Sequence, residues 1–194
     1  MAIIFDFETL STDRVNGVVL SLALLEFNEE RFTEKTAYSY TELLEMSRYI
    51  KFDVADQVKN GKRKIDQDTL EWWGQQSESA QKQLIPSQHD KPLADLIPWM
   101  NSNINGSVSK VYSRGNTFDP IFVDYIASQY HQVVPWPHWS IRDTRSTIDG
   151  MAWGAGLSNG FVPEGLEEQF VAHDPQHDIV MDVMRLQTLA IALG

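Results

Sequence analysis

The sequence predicts an α/β fold, a mixed sheet flanked by helices, with a helical insert around residues 41–108. Three observations lead there. Short runs rich in Ile, Val, Leu and Phe follow one another near the amino terminus, separated by turn formers. From residue 41 the apolar spacing changes to that of helices. From residue 109 strand-like and helix-like segments alternate. The 194 residues are expected to form one domain, 1–194, without repeats or a linker.

In order, "AIIFDFE" (2–8) reads as a first strand and "GVVLSLALLEF" (17–27) as a mostly buried second. "EKTAYSY" (34–40) is expected as a third, which completes an antiparallel meander. Within the insert, "TELLEMSRYI" and "DQDTLEWWGQQSESAQKQL" have helical spacing. "KPLADLIPWMNSNI" is a further helix with a break expected at Pro98. "SKVYSR" (109–114) reads as a strand, and "DPIFVDYIASQYH" (119–131) as a helix with Pro in its first turn. "WSIRDTR" (139–145) is a short strand entering a helix, and "GAGLSNGFVPEG" (154–165) is a loop. The segment from Pro175 to Leu193 is a strongly apolar helix.

Composition narrows the chemistry. With no cysteine, thiolate catalysis, disulfides and cysteine-bound zinc are excluded. A net charge of −11 opposes a general electrostatic grip on nucleic acid. Clustered carboxylates, however, hold divalent cations, and these reverse the local sign. The one dense basic run is "KNGKRK" (59–64), whose Lys59, Lys62, Arg63 and Lys64 face either backbone phosphates or plain solvent. The first apolar run is too short for a signal peptide, and no segment approaches the roughly 20 apolar residues of a membrane span. A soluble, cytoplasmic protein is the expectation.

The question is therefore where the acids sit. Asp6 and Glu8 are two apart on a strand and share one face, with Phe5 and Phe7 on the other. Two carboxylates on one face of an apolar strand need water, a partner or a metal. Asp119 follows a strand and opens a Pro-led helix, a place for a helix cap or a metal ligand. Asp124 competes for the same role but has no strand end before it. Near the carboxyl terminus, "AHDPQHDIVMD" (172–182) repeats a His-x4-Asp spacing. Inside one helix, His177 and Asp182 diverge by about 140°, at about 100° per residue. Asp174 and Pro175 read as helix cap and first residue. His173 then lies in the preceding loop, free to bring its ring over Asp178 in the first turn. His173 and Asp178 are the chosen pair, against a loop histidine and an acid that merely favours the positive helix end.

The acids and histidine stand in "FDFET", "NTFDP" and "HDPQHD", an order that resembles the DEDDh group of 3′–5′ exonucleases. "TLEWWGQQSESAQKQLIPS" (69–87), "IRDTR" (141–145) and "FVAHDPQHDI" (170–179) are similar to the exonuclease A family of T-even bacteriophages. The likeness runs over nearly the whole chain. One departure is Asn116, only three residues before Asp119, to which no role is carried.

The resemblance implies a ribonuclease H-like fold and two Mg²⁺ or Mn²⁺ ions. Asp6 would bridge both ions. Glu8 and Asp178 would complete the site of the ion carrying the attacking water, and Asp119 would hold the second. His173 would be the general base. Trp72, Trp73 and Gln76 would border the substrate, and Lys64, Arg142 and Arg145 would touch nucleic acid. Adjacent helical residues point about 100° apart, so one Trp is expected in the core while the other presents its ring. The implied activity is hydrolysis of single-stranded DNA from the 3′ end to nucleoside 5′-monophosphates, in a phage-infected or bacterial cytosol. Relatives of the group also dimerise, so a homodimer belongs to the same expectation. An exoribonuclease stays open, because a pocket for the 2′-hydroxyl is not legible here. An inactive nucleic-acid-binding module is opposed by the complete set of acids and histidine.

Overall fold

The first two apolar runs pair with each other. In the computed structural model, which describes the backbone of residues 1–194 and every side chain except that of Ala155, β1 (Ala2–Thr9) and β2 (Val19–Phe27) are antiparallel. β3 (Arg48–Lys51) joins β2 antiparallel, while β4 (Lys110–Ser113) and β5 (Ile141–Asp143) continue parallel from β1. The sheet order is β3-β2-β1-β4-β5, so β1 is central and buried on both faces.

The helices are α1 (Tyr40–Met46), α2 (Val54–Lys59), α3 (Gln67–Trp73), α4 (Glu78–Gln81), α5 (Leu96–Asn103), α6 (Asp119–Gln129), α7 (Thr144–Ala152) and α8 (Pro175–Leu193). Ile3, Phe5 and Phe7 pack against Leu96 and Met100 of α5 and Phe122 and Ile126 of α6. Ala2 and Ile4 face the other way, against Ile148 of α7 and Ile179, Val183 and Leu186 of α8. The β alternation that buries Ile4 against α8 therefore aims Asp6 and Glu8 toward the amino-terminal end of the same helix. A third cluster fixes Trp73 and Ala80 against Leu10, Val18 and Leu20.

Four sequence expectations change. Residues 34–40 form no strand: they turn and run into α1, whose cap is Ser39. The backbone N–H and carbonyl of Tyr38 are both bonded, but their partner is the Gln187 amide rather than a strand. The third strand is instead "RYIK", the tail of a segment expected as helix, so residues 41–108 hold β3 as well as helices. The long helix expected through "EWWGQQSESAQ" is divided, because Gly74 ends α3 and the Ser77 side chain caps α4. At Pro98 there is no break. It is the third residue of α5, where a helix has no N–H bond to lose. Among the described residues no helix is long and apolar enough to cross a membrane.

Candidate active site

The site forms where the carboxyl end of β1 meets the amino terminus of α8. Pro175 opens α8 and the Asp174 side chain caps it, accepting from the N–H groups of Gln176 and His177. That cap leaves His173 outside the helix and Asp178 in its first turn. One ligand-type atom from each of Glu8, His173 and Asp178 lies within 4.8 Å of the others. Behind them, the Phe7 N–H donates to Asp119 Oδ1 at 3.3 Å, which fixes the first residue of α6 against β1. Gly115 turns the chain between β4 and α6 with φ +119°, a conformation that disfavours residues with a Cβ.

The electrostatics are those of an under-neutralised cluster. Burial, then the charges of Asp119, Glu8 and Asp178, hold the Asp6 carboxyl well above the usual carboxylate range. Burial, then Asp178 and Asp119, does the same to Glu8. Burial pushes Asp119 up to about 7, although the Phe7 N–H pulls the other way. Burial and the neighbouring Asp182 push Asp178 up to about 7, against the His173 N–H. Burial lowers the His173 imidazole, which keeps it neutral and able to accept a proton.

The loop expected to let His173 swing is tied from both sides. The His173 N–H donates to Asp178 Oδ2 at 3.0 Å, and its carbonyl accepts from Gln83 Nε2 at 2.9 Å. Trp72 meets the imidazole edge-to-face with ring centroids 4.7 Å apart. Outward from Glu8 runs an open cleft of about 790 Å³, lined among others by Thr12, Asp66, Trp72 and Phe118.

The residues read as substrate contacts separate. Trp72 is 40% exposed and borders the cleft. Trp73 is fully buried, with its indole N–H on the Thr9 carbonyl, so it supports the wall and does not reach a substrate. Gln76 bonds back to the Trp72 carbonyl and holds the α3 end. Lys64 is exposed, one residue before Ile65 of the cleft. Its neighbour Arg63 does not face solvent: its guanidinium is buried on the Gly17 carbonyl and the Gln129 amide. Arg145 is close enough to Asp119 to oppose its rise, whereas Arg142 folds onto the carbonyls of Trp139 and Ile141. Asp124 is exposed on α6 and takes no part in the cluster.

One contributor carries no mark in sequence, and another is set aside there together with His177. Gln83 gave no signal in sequence. Asp182 did: it stands four residues after Asp178, on the same helix face. It accepts from Arg114 at 2.5 Å, Arg185 at 2.8 Å and Thr144 Oγ1 at 2.9 Å. His177 points away, sharing a 2.7 Å hydrogen bond with the Tyr40 hydroxyl.

Comparison with known proteins adds to this geometry. A model of the 3′–5′ exoribonuclease Rv2179c-like domain matches residues 1–182. The exodeoxyribonuclease of Enterobacteria phage T4 is 30% identical over 210 residues, 98% of this chain and 90% of that protein. E. coli exonuclease I, solved in complex with a dA16 oligonucleotide, matches with TM-score 0.60 and 14% identity over 94% of this chain and 39% of its own. Cell-death related nuclease 4 matches with TM-score 0.59 and 12% identity over 100% of this chain and 64% of its own. The chain thus spans about two fifths of the exonuclease I length. These structures share its ribonuclease H-like fold.

Proposed function

The chain belongs to the family of 3′–5′ exoribonuclease Rv2179c-like domains and is a 3′–5′ exonuclease, and from that premise we propose that it trims single-stranded DNA to nucleoside 5′-monophosphates. The observation that carries the reading is the convergence of Asp6, Glu8, Asp119, Asp178 and His173 at one end of β1.

The donor set fits hard divalent cations, since carboxylate oxygens dominate it and their own repulsion is unrelieved. Two bound Mg²⁺ or Mn²⁺ ions would supply charge neutralisation at the scissile phosphate and an acidified water. Asp6, buried among these acids, would help to hold the ions. Glu8 and Asp178 would hold metal beside His173, and Asp119 would complete the donor set. His173, with a ring nitrogen beside Glu8 and Asp178, would accept the proton of the attacking water. Trp72 offers a ring for an unpaired base at the cleft wall. Arg145 contributes positive charge on the Asp119 side.

DNA is favoured by the likeness to the phage T4 exodeoxyribonuclease. The second reading is an exoribonuclease, favoured by the description of the matched family. The test uses 5′-labelled single-stranded DNA and RNA of one sequence, with Mg²⁺, Mn²⁺ or EDTA. A metal-dependent ladder shortening from the 3′ end is expected, faster on DNA. Asp6→Ala and His173→Ala should each lose at least about 100-fold in rate. Faster RNA cleavage would select the second reading, and a fully active His173→Ala would remove the general base.

A further inference from the structure

We propose that Gln83 is a positioning residue for His173: its amide ties the His173 carbonyl to β2 beside Glu8 and fixes where the imidazole stands. The proposal rests on His173 being the general base. Gln83 follows α4 and is only 8% exposed. Its Oε1 accepts from Ser21 Oγ at 2.7 Å, and its Nε2 donates to the His173 carbonyl at 2.9 Å. A carbonyl only accepts, so the amide has one orientation that satisfies both partners. Ser21 is the β2 residue paired with Glu8 in the β1–β2 register. One side chain therefore connects the strand position opposite a cluster acid to the residue bearing the base.

The connection matters because His173 has φ 63°, a left-handed conformation uncommon for a residue with a side chain. Such geometry persists where the surroundings hold it. Here the Asp178 carboxylate holds the N–H and Gln83 holds the carbonyl, on either side of the strained Cα. The Trp72 ring then limits rotation of the imidazole. The insert that carries α3 and α4 thus orients the base as well as walling the cleft.

Gln83→Met keeps the approximate volume and removes both hydrogen bonds. Gln57→Met is the matched control, since Gln57 is equally a buried amide bonded to β2, at the Val19 N–H and carbonyl. On single-stranded DNA with Mg²⁺, Gln83→Met should lower kcat about 10- to 100-fold with KM nearly unchanged. It should also move the His173 ring resonance in NMR, which the Trp72 ring current marks. Gln57→Met should lower Tm yet leave kcat and that resonance in place. If Gln83→Met unfolds, Gln83→Glu serves, because it keeps the Ser21 contact and its carboxylate cannot donate to His173. A folded Gln83 variant with kcat and resonance like the control would overturn the proposal. A fully active His173→Ala would overturn the general-base reading and the proposal with it. An inactive His173→Ala beside an active Gln83→Met would sink the positioning role alone.

Discussion

Asp178 and Asp182 lie one turn apart on α8 and are built as opposites. Asp182 is almost fully buried and its charge is answered by two guanidiniums and a hydroxyl. Asp178 accepts one backbone N–H and feels Arg185 only as a minor opposing charge, and burial with the neighbouring acids pushes its carboxyl up to about 7. The helix is the same; the opposing elements differ. The end of β4 and the start of α7 bring Arg114 and Thr144 to Asp182, whereas β1 brings Asp6 and Glu8 to Asp178. A finished ion pair holds the fold together. An unfinished one gives up stability and leaves room for a cation.

The sharpest way to break this comparison is to neutralise each acid in turn. Asp178→Asn should cut exonuclease rate by more than about 100-fold, beyond the loss typical of residues that only support ligands. Its Tm in EDTA should stay level or rise, because a repulsive charge has gone. Asp182→Asn should do the reverse in stability. Breaking a buried pair costs about 3–5 kcal/mol, which in a chain of this size lowers Tm by on the order of 10 °C. Thermal melts and a rate per folded molecule separate the two. Equal Tm losses in both variants would show that the acids are not opposites at all.

A smaller effect follows from pH. Asp119 and Asp178 have folded values of about 7, above the roughly 3.9 of an unfolded carboxylate. Between those values the folded chain holds protons that the unfolded chain has released. Stability in EDTA should therefore fall as pH rises from about 4 through 7, and Asp6 and Glu8, which are also held up, add to the fall. Urea melts across that range should show the slope, and Asp178→Asn should flatten it. Millimolar Mg²⁺ should restore Tm at pH 8 in wild type more than in Asp178→Asn, since a ligand that binds only the folded state stabilises it. A Tm that rises with pH in EDTA would contradict the under-neutralised cluster.

How much of this could be read in the sequence varies with the range of the interaction. Asp6 and Glu8 were legible because strand alternation puts them on one face. Asp174 and Pro175 were legible as a helix start, which in turn placed His173 and Asp178. Those arguments need only local geometry. Strand β3 was missed because its four residues follow α1 directly, and its strand state comes from pairing with β2. The segment 34–40 reads as a strand in sequence, but the Tyr38 backbone bonds go to a side chain 149 residues away. Arg63 reads from its charged neighbours as facing phosphates or solvent, while its burial is set by Gly17 and Gln129. Gln83 was invisible for the same reason. An amide in a helical run carries no mark of the two partners the fold brings to it.

The weakest expected effect concerns the repeat within "AHDPQHDIVMD". Both histidines have an acid five residues on, so spacing alone does not choose between them. The helix start does, by placing His173 before α8 and His177 within it. His177 then turns to the Tyr40 hydroxyl, a part-buried contact between α8 and α1. Its ring also packs against the Tyr40 ring at 5.9 Å. His177→Ala should lose that hydrogen bond, worth about 1 kcal/mol, and lower Tm by about 2–4 °C. The rate on single-stranded DNA should stay within about twofold of wild type, since a contact outside the reacting groups makes no difference to the transition state. His173→Ala should give the opposite pattern, a lost rate with little change in Tm. If the two patterns were exchanged, the His173–Asp178 pairing would be wrong, and the site would have to be rebuilt around the face of α8 that carries His177.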